Sequence, residues 1–137
     1  SFTKIANLLS PLMLNGGSLI TLTFYGSQKV MPSYNVMGVA KAALEISVKY
    51  LSVDLGKKNI RVNAISAGPM RTLSGAVISK SREVYKYTQE HSPLKRNVHL
   101  EEIGNTATYL ISEMSKSITG EIHYVDCGFN IIGMPKF

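Results

Sequence analysis

The chain is poor in the features that would place it quickly. One cysteine, Cys127, excludes an intrachain disulfide framework and points to a reducing, cytoplasmic compartment. No apolar run approaches the roughly 18 residues needed to cross a bilayer, and no basic-then-apolar leader opens the chain, so neither a membrane span nor a signal peptide is expected. The three histidines, His91, His99 and His123, lack metal-ligand spacing. A zinc site is therefore not expected, and no other metal is. Acids are few, 9 against 15 lysines and arginines, for a net charge of +6. Such a balance can attract phosphate, nucleic acid or an acidic protein. The basic residues are scattered from Lys4 to Lys136, however, with no aromatic-interleaved stripe, so nucleic-acid binding is not expected. A glycine-rich turn of the GxGxxG kind is also missing; Gly16-Gly17 precedes a strand, which is the wrong side for a phosphate cradle.

What is present is the makeup of a single globular domain of 137 residues, 45% of them hydrophobic, enough for a core. Residues 3–14 carry apolar positions at helical spacing, with Pro11 bending or ending the helix. Ser18–Phe24 is short, apolar and β-branched, and reads as a buried strand. A loop with Gly26 and Pro32 follows. A long helical pattern then runs from Tyr34 to Leu55, with Gly56 as its expected C-cap. Ile60–Ala67 reads as a second strand, broken by Gly68-Pro69. Residues 70–91 read as one or two short helices, 100–113 as an amphipathic helix with acids in its first turn, and 121–126 as a third strand. Strands alternating with helices predict an α/β fold with a parallel sheet. Three strands are few for a sheet covered on both faces. Together with the missing glycine turn and a start on Ser1 without Met, this predicts that residues 1–137 are the C-terminal portion of one dinucleotide-binding catalytic domain. The fold class expected is the C-terminal part of a doubly wound, Rossmann-like sheet.

Two stretches carry chemistry. In Tyr34-Asn-Val-Met-Gly-Val-Ala-Lys41 a phenol and an ammonium stand seven positions apart, two turns along one face if both lie on a helix. A lysine held near a phenol can favour the phenolate and also donate to a ligand. Ser66-Ala-Gly-Pro-Met-Arg-Thr72 follows an apolar strand and exposes backbone at its carboxyl end, where open α/β sheets bind ligands.

The segments SLITLTFYGSQKVMPSYNVMGVAKAALE, RVNAISAGPMRT and ITGEIHYVDCGFNI closely resemble the bacterial-type enoyl-[acyl-carrier-protein] reductases, divergent short-chain dehydrogenases/reductases of fatty-acid elongation. The resemblance covers essentially the whole chain and the C-terminal half of the family's domain. Tyr-x6-Lys alone is a weak signal; joined to PSYNVMG and ISAGP it is specific. The resemblance implies NAD(P)H-dependent reduction of the 2,3 double bond of enoyl thioesters, with NADH the expected cofactor. Tyr34 would donate to the thioester carbonyl. Lys41 would hold the nicotinamide ribose. Ala67, Gly68, Pro69, Met70 and Thr72 would form the cofactor segment around the carboxamide and a phosphate. Residues 71–86 would be the substrate segment, with Met37, Leu73, Ile78 and Val84 lining an acyl slot beside Tyr34. Lys80, Arg82 and Lys86 would face the acidic acyl carrier protein. The family's homotetramer is the expected assembly of a full-length protein, and the chain alone is expected to be inactive. A carbonyl reductase of the same superfamily and a non-catalytic acyl-binding or assembly paralogue are the alternative readings.

The chain departs from the family pattern at two places. Phe24 stands where the family has a second tyrosine, so a hydroxyl is lost. Cys127 replaces the first of two glycines after the last strand's Asp126 and reads as a packed small residue without a basic partner.

Overall fold

The computed structural model describes residues 1–72 and 80–134. The elements in order are helix α1 (Phe2–Leu9), strand β1 (Gly17–Thr23), helix α2 (Val36–Gly56), strand β2 (Ile60–Ala67), helix α3 (Ser81–His91), helix α4 (Leu100–Ile111) and strand β3 (Ile122–Val125). Short 3-10 turns at Ser10–Leu12, Tyr25–Ser27, Glu113–Ser115 and Phe129–Ile131 join them. The sheet order is β1-β2-β3, and both pairings are parallel. Gly17 pairs with Ile60 through to Thr23 with Ser66, and Ala64 with Ile122 through to Ala67 with Val125.

The central strand explains the layering. Alternate side chains of a strand leave opposite faces. Ile60, Val62 and Ala64 pack with Ala6 of α1 and Val48 and Leu55 of α2 on one face. Ile65 and Ala67 pack with Val98 and with Ile103 and Leu110 of α4 on the other. Helices therefore cover both faces, which is why β2 reads as a nearly continuous apolar run. Two of its three polar residues are matched, while the Ser66 hydroxyl is buried without a hydrogen-bond partner among the described residues. The buried Asn63 amide donates to the Ile118 carbonyl at 3.0 Å and accepts from the Glu121 N–H at 3.0 Å. The Arg61 guanidinium donates to the carbonyls of Leu110 at 2.8 Å and Ser112 at 3.2 Å, and so holds the carboxyl end of α4.

The parallel α/β architecture is as expected, with three local differences. Helix α2 begins at Val36, not Tyr34, because Ser33 and Asn35 take φ of 61° and 41°, outside the right-handed helical region. Gly56 ends α2 as a helical residue; the left-handed turn falls on Asn59, φ 57°. Strand β1 is an edge strand among the described residues, only half-buried, with Leu22 51% exposed.

Candidate functional site

Because β1 and β2 run parallel in register, their carboxyl ends lie side by side, Thr23 against Ser66. The segments that follow them, Phe24–Tyr34 and Gly68–Thr72, meet there. Phe24, Tyr25 and Met31 share a narrow cleft with Gly68, Pro69, Asp126 and Phe129. Open α/β sheets hold their ligands at this end.

Tyr34 sits in the turn that enters α2, and it is 7% exposed. Its ring meets Phe24 edge-on, with centroids 5.0 Å apart and planes at 64°. Burial raises its pKa above the ordinary tyrosine value, so the group is a neutral phenol at physiological pH. That favours a hydrogen-bond donor over a phenolate. The two-turn helical spacing does not describe the pair, since Tyr34 lies outside the helix. Lys41, two turns into α2, donates from Nζ to the Leu22 carbonyl at 2.9 Å, on the edge strand just before Phe24. Phenol and ammonium thus both reach the Leu22–Phe24 stretch, by different routes.

On the second strand, Ala67 is buried and its successor Gly68 donates its N–H to the Val125 carbonyl at 2.9 Å. A β-carbon at Gly68 would stand 3.0 Å from the Asp126 Cα, so the glycine lets the two segments close up. Pro69 and Met70 are half-buried, with Met70 against the α4-side core, and Thr72 is exposed. Asp126 is buried and accepts from the N–H groups of Gly128 and Asn130 at 3.0 and 2.8 Å, which folds the terminal segment back over the cleft. Cys127 has φ 58°, the backbone region that favours glycine. Its thiol packs against the α4-side core, and burial raises its pKa against the opposing pull of Arg96, a basic neighbour distant in sequence and so not expected, which leaves it a poor nucleophile.

Beside this cleft lies a cavity of about 520 Å³. Val84, Lys80, Tyr87, Phe129, Tyr25 and Met31 are among its walls. Of the residues expected to line an acyl slot, Val84 is at this cavity. Met37 stands 44% exposed in the first turn of α2 and is not among the cavity's walls. Leu73 and Ile78 lie outside the described residues. Lys80 reaches the cavity, while Lys86 pairs loosely with Glu90 at 3.8 Å on the exposed face of α3. The aromatic wall was not foreseen: Phe129 meets both Tyr25 and Tyr87 edge-on, at 6.0 and 6.2 Å. Nothing in the spacing of these three residues announces it.

Glu45 also went unread. It is 3% exposed and accepts from Thr23 Oγ1 at 2.7 Å, from the Ser27 hydroxyl, and from Gln28 Nε2 at 2.7 Å. The available signal was its place four residues after Lys41, on the same helix face.

Known proteins resemble this chain in sequence and in fold. The family described as enoyl-(acyl carrier protein) reductase matches residues 1–130. The enoyl-[acyl-carrier-protein] reductase [NADH] 2 of Rhizobium meliloti is 58% identical over 98% of this chain and 50% of its own length. The crystal structure of FabI from Candidatus Liberibacter asiaticus superposes with a TM-score of 0.95 at 58% identity, covering 98% of this chain and 52% of that one. The enoyl-(acyl-carrier-protein) reductase of Anaplasma phagocytophilum, solved in complex with NAD, gives a TM-score of 0.94 at 54% identity, covering 99% of this chain and 52% of that one. The chain spans about half the length of the curated relatives it matches. On sequence and on fold alike, it belongs to the enoyl-(acyl carrier protein) reductase family.

Proposed function

We propose that these residues are the C-terminal part of a dinucleotide-binding catalytic domain, and that the whole protein reduces the 2,3 double bond of enoyl thioesters on acyl carrier protein with NADH. The observation that supports this reading is that the Tyr34 ring rests on Phe24 and the Lys41 ammonium on the Leu22 carbonyl, at the end of β1 where Phe24 shares a cleft with Gly68 and Pro69, in a chain of this family.

The donors present fit the nicotinamide end of a dinucleotide. They are the Lys41 ammonium for ribose hydroxyls, backbone between Ala67 and Met70 for the carboxamide, and the Thr72 hydroxyl for a phosphate. When bound, NADH supplies the hydride that reaches the β-carbon of the enoyl group. Negative charge would then build on the thioester oxygen as an enolate, and protonation of the α-carbon by water would complete the saturated thioester. Tyr34, kept protonated by burial, donates to that oxygen. Lys41 would leave the Leu22 carbonyl for the ribose hydroxyls and add positive potential near the phenol. The half-buried aromatic and aliphatic wall of the 520 Å³ cavity suits an acyl chain. Lys80, Arg82 and Lys86 meet the acidic carrier protein. Homotetrameric assembly and a cytoplasmic location belong to the same reading; no helix among the described residues is long and apolar enough to cross a membrane.

The test is NADH oxidation by the full-length protein on addition of crotonyl thioester, with product analysis. A saturated thioester supports the proposal. An alcohol product would indicate a carbonyl reductase instead. Carrier-protein binding without NADH consumption would indicate a non-catalytic paralogue.

A further inference from the structure

Glu45 is a buried carboxylate with no cation within ion-pair distance; the ion pairs among the described residues are Lys86–Glu90 and Arg96–Glu102. Burying a charge without a counter-charge is costly unless hydrogen bonds replace the lost water. Here three neutral donors do so: Thr23, Ser27 and Gln28. An apolar side chain at this position would leave the buried Thr23 hydroxyl and the other two donors without an acceptor, so the carboxylate answers a local need; a functional reason is a separate matter.

The placement of the donors supplies one. Thr23 is the last residue of β1; Ser27 and Gln28 follow the segment Phe24–Gly26. Glu45 therefore grips that three-residue segment at both ends. The segment is also what Tyr34 rests on. Phe24 meets the Tyr34 ring edge-on, and a β-carbon on Gly26 would stand 2.5 Å from the ring's Cδ1. The helix start is pressed onto the same backbone, since a β-carbon on Gly38 would stand 2.7 Å from the Gly26 carbonyl oxygen. One turn earlier on α2, Lys41 fixes the residue before Thr23 through the Leu22 carbonyl.

We infer that Glu45 is a positioning residue for the Tyr34 hydroxyl, acting through the Phe24–Gly26 segment. The inference rests on the catalytic reading of Tyr34 given above. It does not require Glu45 to touch substrate or cofactor. A hydroxyl displaced by about 1 Å from the reacting oxygen can lose on the order of 100-fold in rate, so a clamp at this point has leverage.

The test uses the full-length protein and four variants: Glu45→Leu, Glu45→Gln, Tyr34→Phe and Glu45→Leu combined with Tyr34→Phe. Glu45→Leu keeps the volume and removes the acceptor. It should lower kcat by about 10- to 100-fold while KM for NADH changes by less than about 3-fold. Glu45→Gln keeps one oxygen for Thr23 and Ser27, and its amide can donate to a flipped Gln28, so it should recover most of the loss. In the Tyr34→Phe background Glu45→Leu should cost almost nothing further, because its effect runs through the missing hydroxyl. A merely structural role would instead multiply with Tyr34→Phe. Should Glu45→Leu fail to fold, Thr23→Val and Ser27→Ala each remove one donor and should show the same non-additivity at smaller size. Multiplicative losses, or a folded Glu45→Leu protein with unchanged kcat, would overturn the inference. If Tyr34→Phe alone leaves turnover intact, it is the catalytic reading of Tyr34 that fails, which separates the two outcomes.

Discussion

The ring of Tyr34 lies directly on the bare Cα of Gly26: a β-carbon there would stand 2.5 Å from Cδ1 and 2.7 Å from Cε1. No real side chain tolerates such a contact, so Gly26→Ala must move the ring or the turn. The expected outcome is a loss of about 1–3 kcal/mol in stability from overpacking. Turnover should fall further than stability predicts, because the displaced group is the proposed donor. Equilibrium denaturation and steady-state kinetics on the same preparation check both parts.

Arg61 joins β2 to the carboxyl end of α4 through the carbonyls of Leu110 and Ser112 and the Ser115 hydroxyl. Arg61→Met keeps the aliphatic stem and removes every donor. The Leu110 carbonyl keeps Ser18 and Ser115 as donors and the Ser112 carbonyl keeps Ser115, so the loss should be about 1–3 kcal/mol, that of charge-assisted hydrogen bonds without orphaned acceptors. Urea unfolding should show the midpoint falling while the slope stays constant. The site residues lie at the other end of the strand, so KM for NADH in the folded protein should not change.

The Arg96–Glu102 pair predicts an acid limit. Glu102 accepts from Arg96 at 2.8 and 2.6 Å and from the His99 N–H at 2.8 Å, and the Arg96 hydrogen bonds are the larger cause of a pKa lowered from 4.5 to about 2. The folded state therefore binds this proton less readily than the unfolded state. Its contribution is present above pH 4.5 and is lost as pH falls toward about 2. Both side chains are more than a third exposed, so the effect should be small and weakened by salt. Glu102→Gln should flatten the melting temperature against pH in that window. An identical acid slope in wild type and variant would refute the assignment.

How much of this was legible depends on where the deciding contacts lie. The alternation of β2 between two cores is written in its own residues, Ile60, Val62 and Ala64 against Ile65 and Ala67, so fold class and strand position followed from sequence. The entry to α2 was not legible. Ser33 and Asn35 are ordinary residues whose positive φ accompanies the packing of Tyr34 onto Gly26, a contact between segments. Glu45 was missed for a similar reason. An acid in an amphipathic helix reads as a solvated charge, and its donors sit 17 to 22 residues earlier, in residue types common to any loop. The roles proposed for Tyr34 and Lys41 rest on flanking motifs; the two-turn helical spacing does not describe them, because Tyr34 lies outside α2.

The missing glycine turn yields a binding prediction. The isolated 137 residues should show no rise in melting temperature with millimolar NADH, whereas a protein that also carries a glycine-rich strand–helix turn should. A clear shift for the isolated chain would place the main nucleotide contacts within these residues.

The central claim concerns one buried phenol donating to a thioester oxygen. The most direct measurement is the rate of NADH oxidation with crotonyl thioester by full-length wild type and Tyr34→Phe. The account predicts a fall in kcat of about 10²–10³-fold with the fold retained. Equal rates for the two proteins would contradict it.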